Sequence, residues 1–296
     1  MIKVSKSRRA FQVVNYTFLT LMMIICILPL WHILCISVSE NRFAVSGQVS
    51  LWPRGFTLSA YSFLSAKSGF MSGLAVSVRR VLLGSVVNMA LCILCAYPLS
   101  RENSEFRFRT VYVWFFAITM FFGGGMIPTY FVVSGMGLID TMWALVLPGA
   151  LNVSHCVMML NFFRGIPKAL DEAATLDGAG HVRKLFSIYI PLSTASFATI
   201  LLFTIVNHWN SWFDGYIYIN TPAKYPLQTY LKTVIDSATM VNKEFMSEEE
   251  LIALANVNDK TLRMAQIFLG ALPVMCVYPF LQKYFVKGIT LGSVKG

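Results

Sequence analysis

The stretch Gly165-Ile166-Pro167-Lys168-Ala169-Leu170-Asp171-Glu172-Ala173-Ala174-Thr175-Leu176-Asp177-Gly178-Ala179-Gly180 is the longest polar interruption in the hydrophobic middle of this chain. Its residues predict a short capped helix between two membrane spans. Pro167 suits the first helical position, where its missing N–H costs nothing, and Asp171 and Glu172 lie in the N-terminal half, which the helix dipole makes favourable for carboxylates. Gly178, two residues beyond Leu176, is placed to take the left-handed conformation that closes a helix. Ile166, Leu170, Ala173 and Ala174 recur at spacings of three and four and make a narrow apolar face. Its two alanines let another surface approach closely. An ordinary surface helix joining two spans would show the same spacing.

Outward from this stretch, composition sets the environment. Of 296 residues, 56% are hydrophobic and 13% charged, and the mean hydropathy is +0.63. That is more apolar surface than a soluble core can hide, so the chain belongs in a membrane. Runs of about 20 apolar residues match a bilayer core of about 30 Å. They are expected at 18–36, 74–99, 111–133, 141–163, 188–206 and 261–285. The fold class this implies is an all-α membrane protein with six transmembrane helices. Between them lie a cytoplasmic N-terminal segment 1–17, the polar loop 164–187, a long loop 207–260 and a tail 286–296.

The net charge of +10 does not signal nucleic acid, because the basic residues form short clusters beside apolar runs without a nucleic-acid motif. They report orientation instead. The N-terminus, the 100–109 and 164–187 loops and the chain from Lys283 onward hold 14 of the 24 basic residues, while nine of the 14 acids lie elsewhere. By the positive-inside rule both termini and the Glu172 helix face the cytoplasm. Six cysteines, at 26, 35, 92, 95, 156 and 276, stand in or beside apolar runs and are read as small core residues. Cys92-Ile93-Leu94-Cys95 has metal spacing without further ligands nearby, and no metal site is assigned.

Within the spans, Arg79 and Arg80 near the start of the second are expected to reach the headgroups by snorkelling. Gly123-Gly124-Gly125 with Pro128 should break the third helix. His155 in the fourth is read as an interior histidine, and Trp31 and His32 as anchors or packing groups at the end of the first. The fifth ends in Asn207-His208-Trp209-Asn210-Ser211-Trp212-Phe213-Asp214. Aromatic rings mixed with amide and carboxylate groups can stack on sugars and bond their hydroxyls, although an aromatic interface belt has the same composition. In the following loop Ser247-Glu248-Glu249-Glu250 has capping-box spacing, flanked by Met246 and Leu251, and predicts a further helix. The chain has no Walker A loop, serine nucleophile elbow, His-Glu-x-x-His or pair of intramembrane carboxylates, so any driving energy comes from a partner.

Glu172-Ala173-Ala174, three residues, Gly178, nine residues and Ile188-Tyr189-Ile190-Pro191 together resemble the EAA loop of ABC importer permeases. Ile190 stands where that family most often has leucine, a volume-conserving difference. Asn207 to Asn220, Tyr225-Pro226-Leu227-Gln228, Tyr278 to Gly288 and the ending Gly292-Ser293-Val294-Lys295-Gly296 are similar to the maltose-type carbohydrate permeases. The likeness extends over the whole chain and is greatest to the branch of lipoprotein-like and complex-polysaccharide oligosaccharide systems.

The resemblance implies a non-catalytic subunit of an oligosaccharide importer in a bacterial cytoplasmic membrane. It would pair with a second, homologous permease above two cytoplasmic ABC ATPases that hold ATP and magnesium, and an extracytoplasmic sugar-binding lipoprotein would dock outside. No cofactor is expected in this chain. Asp171, Glu172, Ala173, Ala174, Asp177 and Gly178 are the expected ATPase-coupling residues. Trp209, Asn210, Trp212 and Asp214 are candidates for the sugar pathway or the binding-protein contact, and Lys295 and Gly296 for the ATPase interface. An importer of the same architecture for amino acids, peptides or polyamines is the alternative, and a membrane enzyme or scaffold a more remote one.

Overall fold

The computed structural model describes residues 6–66, 68–240 and 259–292. The regular structure of the described residues is helical apart from one isolated bridge between Ser39 and Phe56. It divides into two compact units, residues through 68 with 233–272, and residues 69–232 with 273 onward.

In the first unit α1 (Lys6–Ser37) exposes nearly all of its apolar side chains as far as Leu28, which suits a helix solvated by lipid. It starts twelve residues before the apolar run expected at 18, so the basic segment is helical from Lys6 onward. Cys35 and Ile36 of its last turn pack with Ala44 of α2 (Asn41–Val45) and with Val49. Trp31 Nε1 donates to Leu51 O at 2.7 Å, and His32 Nδ1 lies 2.8 Å from Ser50 O. Both therefore pack the following loop back onto α1. Ala60 and Leu64 of α3 (Ser59–Ala66) bury against Leu262 and Ala265 of the last helix, which runs Asp259–Gly292.

The second unit is built on α4 (Ser68–Ser100), where a span was expected at 74–99. Cys92, Ala96 and Tyr97 of α4 form a core with Cys156, Met159 and Phe163 of a later helix and with Leu185, Tyr189 and Ile200. Polar groups cross the same packing. Asn88 Nδ2 donates to Ala150 O at 3.0 Å, and Thr204 donates to Asn88 Oδ1 at 3.1 Å. Small residues set how closely helices approach. A Cβ on Gly84 would lie only 2.4 Å from the His208 ring, so this position needs a glycine for the approach itself.

The break expected at Gly123–Gly125 is present. Here α5 (Arg109–Phe121) and α6 (Met126–Gly135) diverge by 117°, with Gly125 at φ +79°. The segment expected as a span at 141–163 is α7 (Met142–Val146) running into a turn of 3-10 helix at Leu147–Gly149, then α8 (Val153–Arg164), bent by 53° across residues 150–152. Asn152 caps α8 by accepting from His155 N at 3.2 Å. The His155 ring is interior and stacks on Phe203 with centroids 6.2 Å apart.

The short polar helix is α9 (Lys168–Leu176). Pro167 takes the capping position with ψ 128°, one residue before the first helical position it was expected to fill, because its extended backbone already suits the residue outside the helix. After α9 come α10 (His181–Lys184), a π-helical turn at Leu185–Tyr189, α11 (Ile190–Leu192) and α12 (Thr194–Asn210). The fifth span was expected from 188, but the axis turns by 81° at Ser193. Residues 188–192 therefore belong with the α10 segment, and the apolar helix begins at Thr194. Pro191 supplies no N–H to the turn before it, where the chain runs as a π-helical turn, and the backbone leaves the helical conformation at Ser193, with φ −101° and ψ 18°.

The loop expected at 207–260 contains α13 (Phe213–Tyr218) and α14 (Leu227–Met240). The capping box at 247–250 lies outside the described residues. The last helix is α15 (Asp259–Gly292). Three described stretches are long and apolar enough to cross a membrane, Ser7–Ser37, Gly69–Ser100 and Lys260–Pro279. Three bent pairs reach that length only when both members are taken together.

Candidate functional site

Gly178 has φ +74°, as its position after Leu176 requires. Its N–H donates to Thr175 O at 3.0 Å and the Ala179 N–H to Ala174 O at 2.9 Å, so the last carbonyls of α9 are satisfied by a Schellman turn. Nothing lies within 4 Å of where a Cβ on Gly178 would stand. The turn is open on the outside.

Asp171 lies on the side of α9 that faces the body of the unit, and Thr175, one turn on, is exposed. Asp171 Oδ2 accepts from Arg101 at 2.8 Å and from Lys184 Nζ at 3.1 Å, while Oδ1 accepts from the Tyr189 hydroxyl at 3.2 Å. Lys184 also donates to Thr175 Oγ1 at 2.7 Å, and its side chain is buried. Burial by itself would push the Asp171 carboxyl up. The hydrogen bonds from Arg101 and Lys184 outweigh it and hold the group below the ordinary carboxylate value of 3.8. Glu102 is also lowered, by its bond from Lys168, in an ion pair that is exposed on both partners.

The opposite side of α9 is free. Ala169, Glu172 and Ala173 are exposed, and Leu176 is 89% exposed. Leu170 is exposed as well, Ala174 is half-buried, and Ile166, just before the helix, packs into the core. A short amphipathic helix on a soluble protein normally turns its apolar side inward. Here the polar side is anchored and the apolar side points out. A cleft of about 430 Å³ beside the helix is lined by Arg101, Glu102, Glu105, Arg164, Lys168 and Glu172, among others.

At the other candidate cluster the tertiary structure divides what the sequence places together. Trp209 is 5% exposed and lines an apolar pocket of about 180 Å³ with Val78, Val81, Leu82 and Ile205. Asn210 and Trp212 are exposed, and Lys232 Nζ sits 5.7 Å above the Trp212 ring. Asp214 turns inward to Arg80. This corrects the expectation that Arg80 snorkels: its side chain is 2% exposed and ion-paired to Asp214 Oδ2. It also donates at 3.1 Å to Asp214 Oδ1, at 3.0 Å to Ser211 O and at 3.3 Å to Leu145 O. Arg79, beside it, is exposed. The Asp214 carboxylate and the carbonyls of Ser211 and Leu145 supply the acceptors that a guanidinium packed away from water requires. Two residues the sequence reading did not single out, Arg101 and Lys184, prove to hold Asp171. Their place in basic loops shows in the sequence, but their burial does not. Lys295 and Gly296 lie outside the described residues.

No protein-family model matches the chain. Individual relatives do. The polygalacturonan/rhamnogalacturonan transport system permease protein YtcP of Bacillus subtilis is 38% identical over 97% of this chain and 99% of its own. Protein LplC of the same organism is 36% identical over 99% and 97%, and its maltodextrin transport system permease protein MdxG is 25% identical over 99% of both. A chain of the bacterial ABC transporter involved in import of the acidic polysaccharide alginate superposes with a TM-score of 0.83 and 31% identity, covering 96% of this chain and all of that one. A second chain, from the alginate transporter bound to its periplasmic protein, shares the fold at a TM-score of 0.55 and 14% identity, over 93% of each.

Helices of membrane-spanning length, an exposed helix fixed at its polar side and end-to-end relatives define a transport permease. The chain belongs to the sugar ABC transporter permeases.

Proposed function

We propose that this chain is one of two different permease subunits of a binding-protein-dependent oligosaccharide importer, and that α9 is where a cytoplasmic ATPase docks. The observation that carries the docking reading is the inverted helix. Asp171 is fixed inward, while Ala169, Glu172, Ala173 and Leu176 are left uncovered. An apolar strip of small side chains flanked by a carboxylate fits a groove in a partner better than it fits water. Asp177 and Gly178 close the same surface.

Each bent pair counts as one crossing in this reading. Six crossings then place both termini on one side, which the basic clusters assign to the cytoplasm. ATP and magnesium reside in the ATPases. Closure of those subunits displaces α9 and opens the membrane pathway toward the sugar-binding protein. Asn210 and Trp212 are the exposed members of the aromatic cluster left to meet sugar or binding protein. Trp209 and Asp214 support that surface from within. The relatives named for polygalacturonan and for alginate favour a carboxylate-bearing oligosaccharide.

The test is reconstitution of the chain with its partner permease, ATPases and binding protein in proteoliposomes. Oligogalacturonates should stimulate ATP hydrolysis more than neutral maltodextrins do, and Glu172→Lys should abolish the stimulation while the chain remains inserted. Full uptake with Glu172→Lys would remove α9 as the docking element.

A further inference from the structure

Arg101 follows the last residue of α4, and its side chain is 7% exposed. The guanidinium carbon lies 4.5 Å from the Tyr97 ring centroid and 4.8 Å from that of Tyr189, and the two rings meet edge to face at 5.1 Å. One guanidinium nitrogen reaches Asp171 at 2.8 Å, and the other donates to the Tyr97 hydroxyl. Asp171 is held in turn by Tyr189 and Lys184. One planar cation thus joins the end of α4, the middle of α9 and the π-helical turn. A second charged link between α9 and the chain just beyond α4, Lys168 with Glu102, is exposed on both partners and open to screening.

A buried ion pair contributes little net stability compared with apolar groups of the same volume, but it enforces geometry. A guanidinium in contact with two rings and bonded to both a carboxylate and a hydroxyl has little rotational freedom left. The far part of α4 is gripped in the same manner. Arg80, about 30 Å from the end of α4 at 1.5 Å per residue, holds Asp214 and the carbonyls of Ser211 and Leu145. Between the two arginines α4 carries no charged side chain.

We propose that Arg101 is a positioning residue that makes α9 and α4 move as one body, so that displacement of α9 is delivered to α4 and, through Arg80, to the 211–214 turn. The proposal rests on the reading of α9 as the docking helix and assigns how the displacement leaves it.

The test uses the complete transporter in proteoliposomes with its binding protein and an oligosaccharide that stimulates the parental complex. Arg101→Ala should retain the ATPase subunits at parental stoichiometry yet lower the stimulation of ATP hydrolysis by about tenfold. Arg101→Lys, which keeps a cation opposite Asp171, should recover a large part of it. If Arg101→Ala does not accumulate, Tyr189→Phe removes only the hydroxyl that holds Asp171 and should lower the same ratio by a smaller factor. Undiminished stimulation in Arg101→Ala, or in Tyr189→Phe where that variant stands in, overturns the proposal. Loss of the ATPases from Arg101→Ala also overturns it, by placing Arg101 in the docking contact itself, and absence of recovery in Arg101→Lys assigns the effect to packing alone. Glu172→Lys in the same preparation separates the two readings. Retained ATPase and retained stimulation there sink the docking assignment, whereas failure confined to the Arg101 variants leaves docking in place.

Discussion

Asp214 and Gly178 are the two positions at which a single replacement speaks most directly to the structure. Asp214→Ala leaves the Arg80 guanidinium buried without its carboxylate, and removing one partner of such a pair costs about 3–5 kcal/mol. A thermal-unfolding midpoint in detergent should fall accordingly. Gly178 separates backbone from surface effects. Gly178→Ala strains only the left-handed turn, by about 1–2 kcal/mol, since its Cβ meets nothing within 4 Å. Gly178→Asp adds a charged group on the side where an ATPase is expected, so stimulated ATP hydrolysis should survive the first substitution and not the second. Asp171 predicts a pH effect. Its carboxyl lies below the unfolded value in the folded chain, so its contribution is complete above that value and lost as pH falls through the folded range. Unfolding midpoints of parent and Asp171→Asn should therefore differ by a constant amount from neutral pH down to about 5 and converge in stronger acid.

At the scale of elements, close approach and broken axes matter more than helical propensity. Gly84→Ala would drive a Cβ to 2.4 Å from His208, so α4 and α12 must separate or the ring must leave its place. Overpacking of this kind costs about 1–3 kcal/mol, readable as a lowered melting midpoint, and Gly84→Ser should be at least as damaging. The turn of 81° at Ser193 bears on α9 too. It puts Lys184 and Tyr189 on a segment that runs back past α9, within reach of Asp171. The π-helical turn at Leu185–Tyr189 shifts the register of that segment, a distortion that recurs at functional positions.

For the molecule as a whole, the charge distribution makes an accessibility prediction. Cysteines introduced near residue 3 and near residue 104 should resist a membrane-impermeant thiol reagent in intact cells, and one at residue 54 should react, in a background cleared of the native cysteines. Labelling of the first two from outside would reverse the orientation read from the basic clusters.

By itself the sequence determined the membrane class, from apolar runs of bilayer length, and the family, from Glu172-Ala173-Ala174 with Gly178 and the residues up to Pro191. It also located the break at Gly123–Gly125 and the left-handed closure at Gly178, because glycine conformation is a local property. Only the tertiary structure decided which charges are buried. Arg80 and Arg79 are chemically identical neighbours, yet one is buried against Asp214, 134 positions away, and the other is exposed. Asp171 and Arg101 are 70 positions apart in sequence and 2.8 Å apart in space. A buried ion pair exists only when packing removes water from both partners at once, and no local pattern of residues records that event.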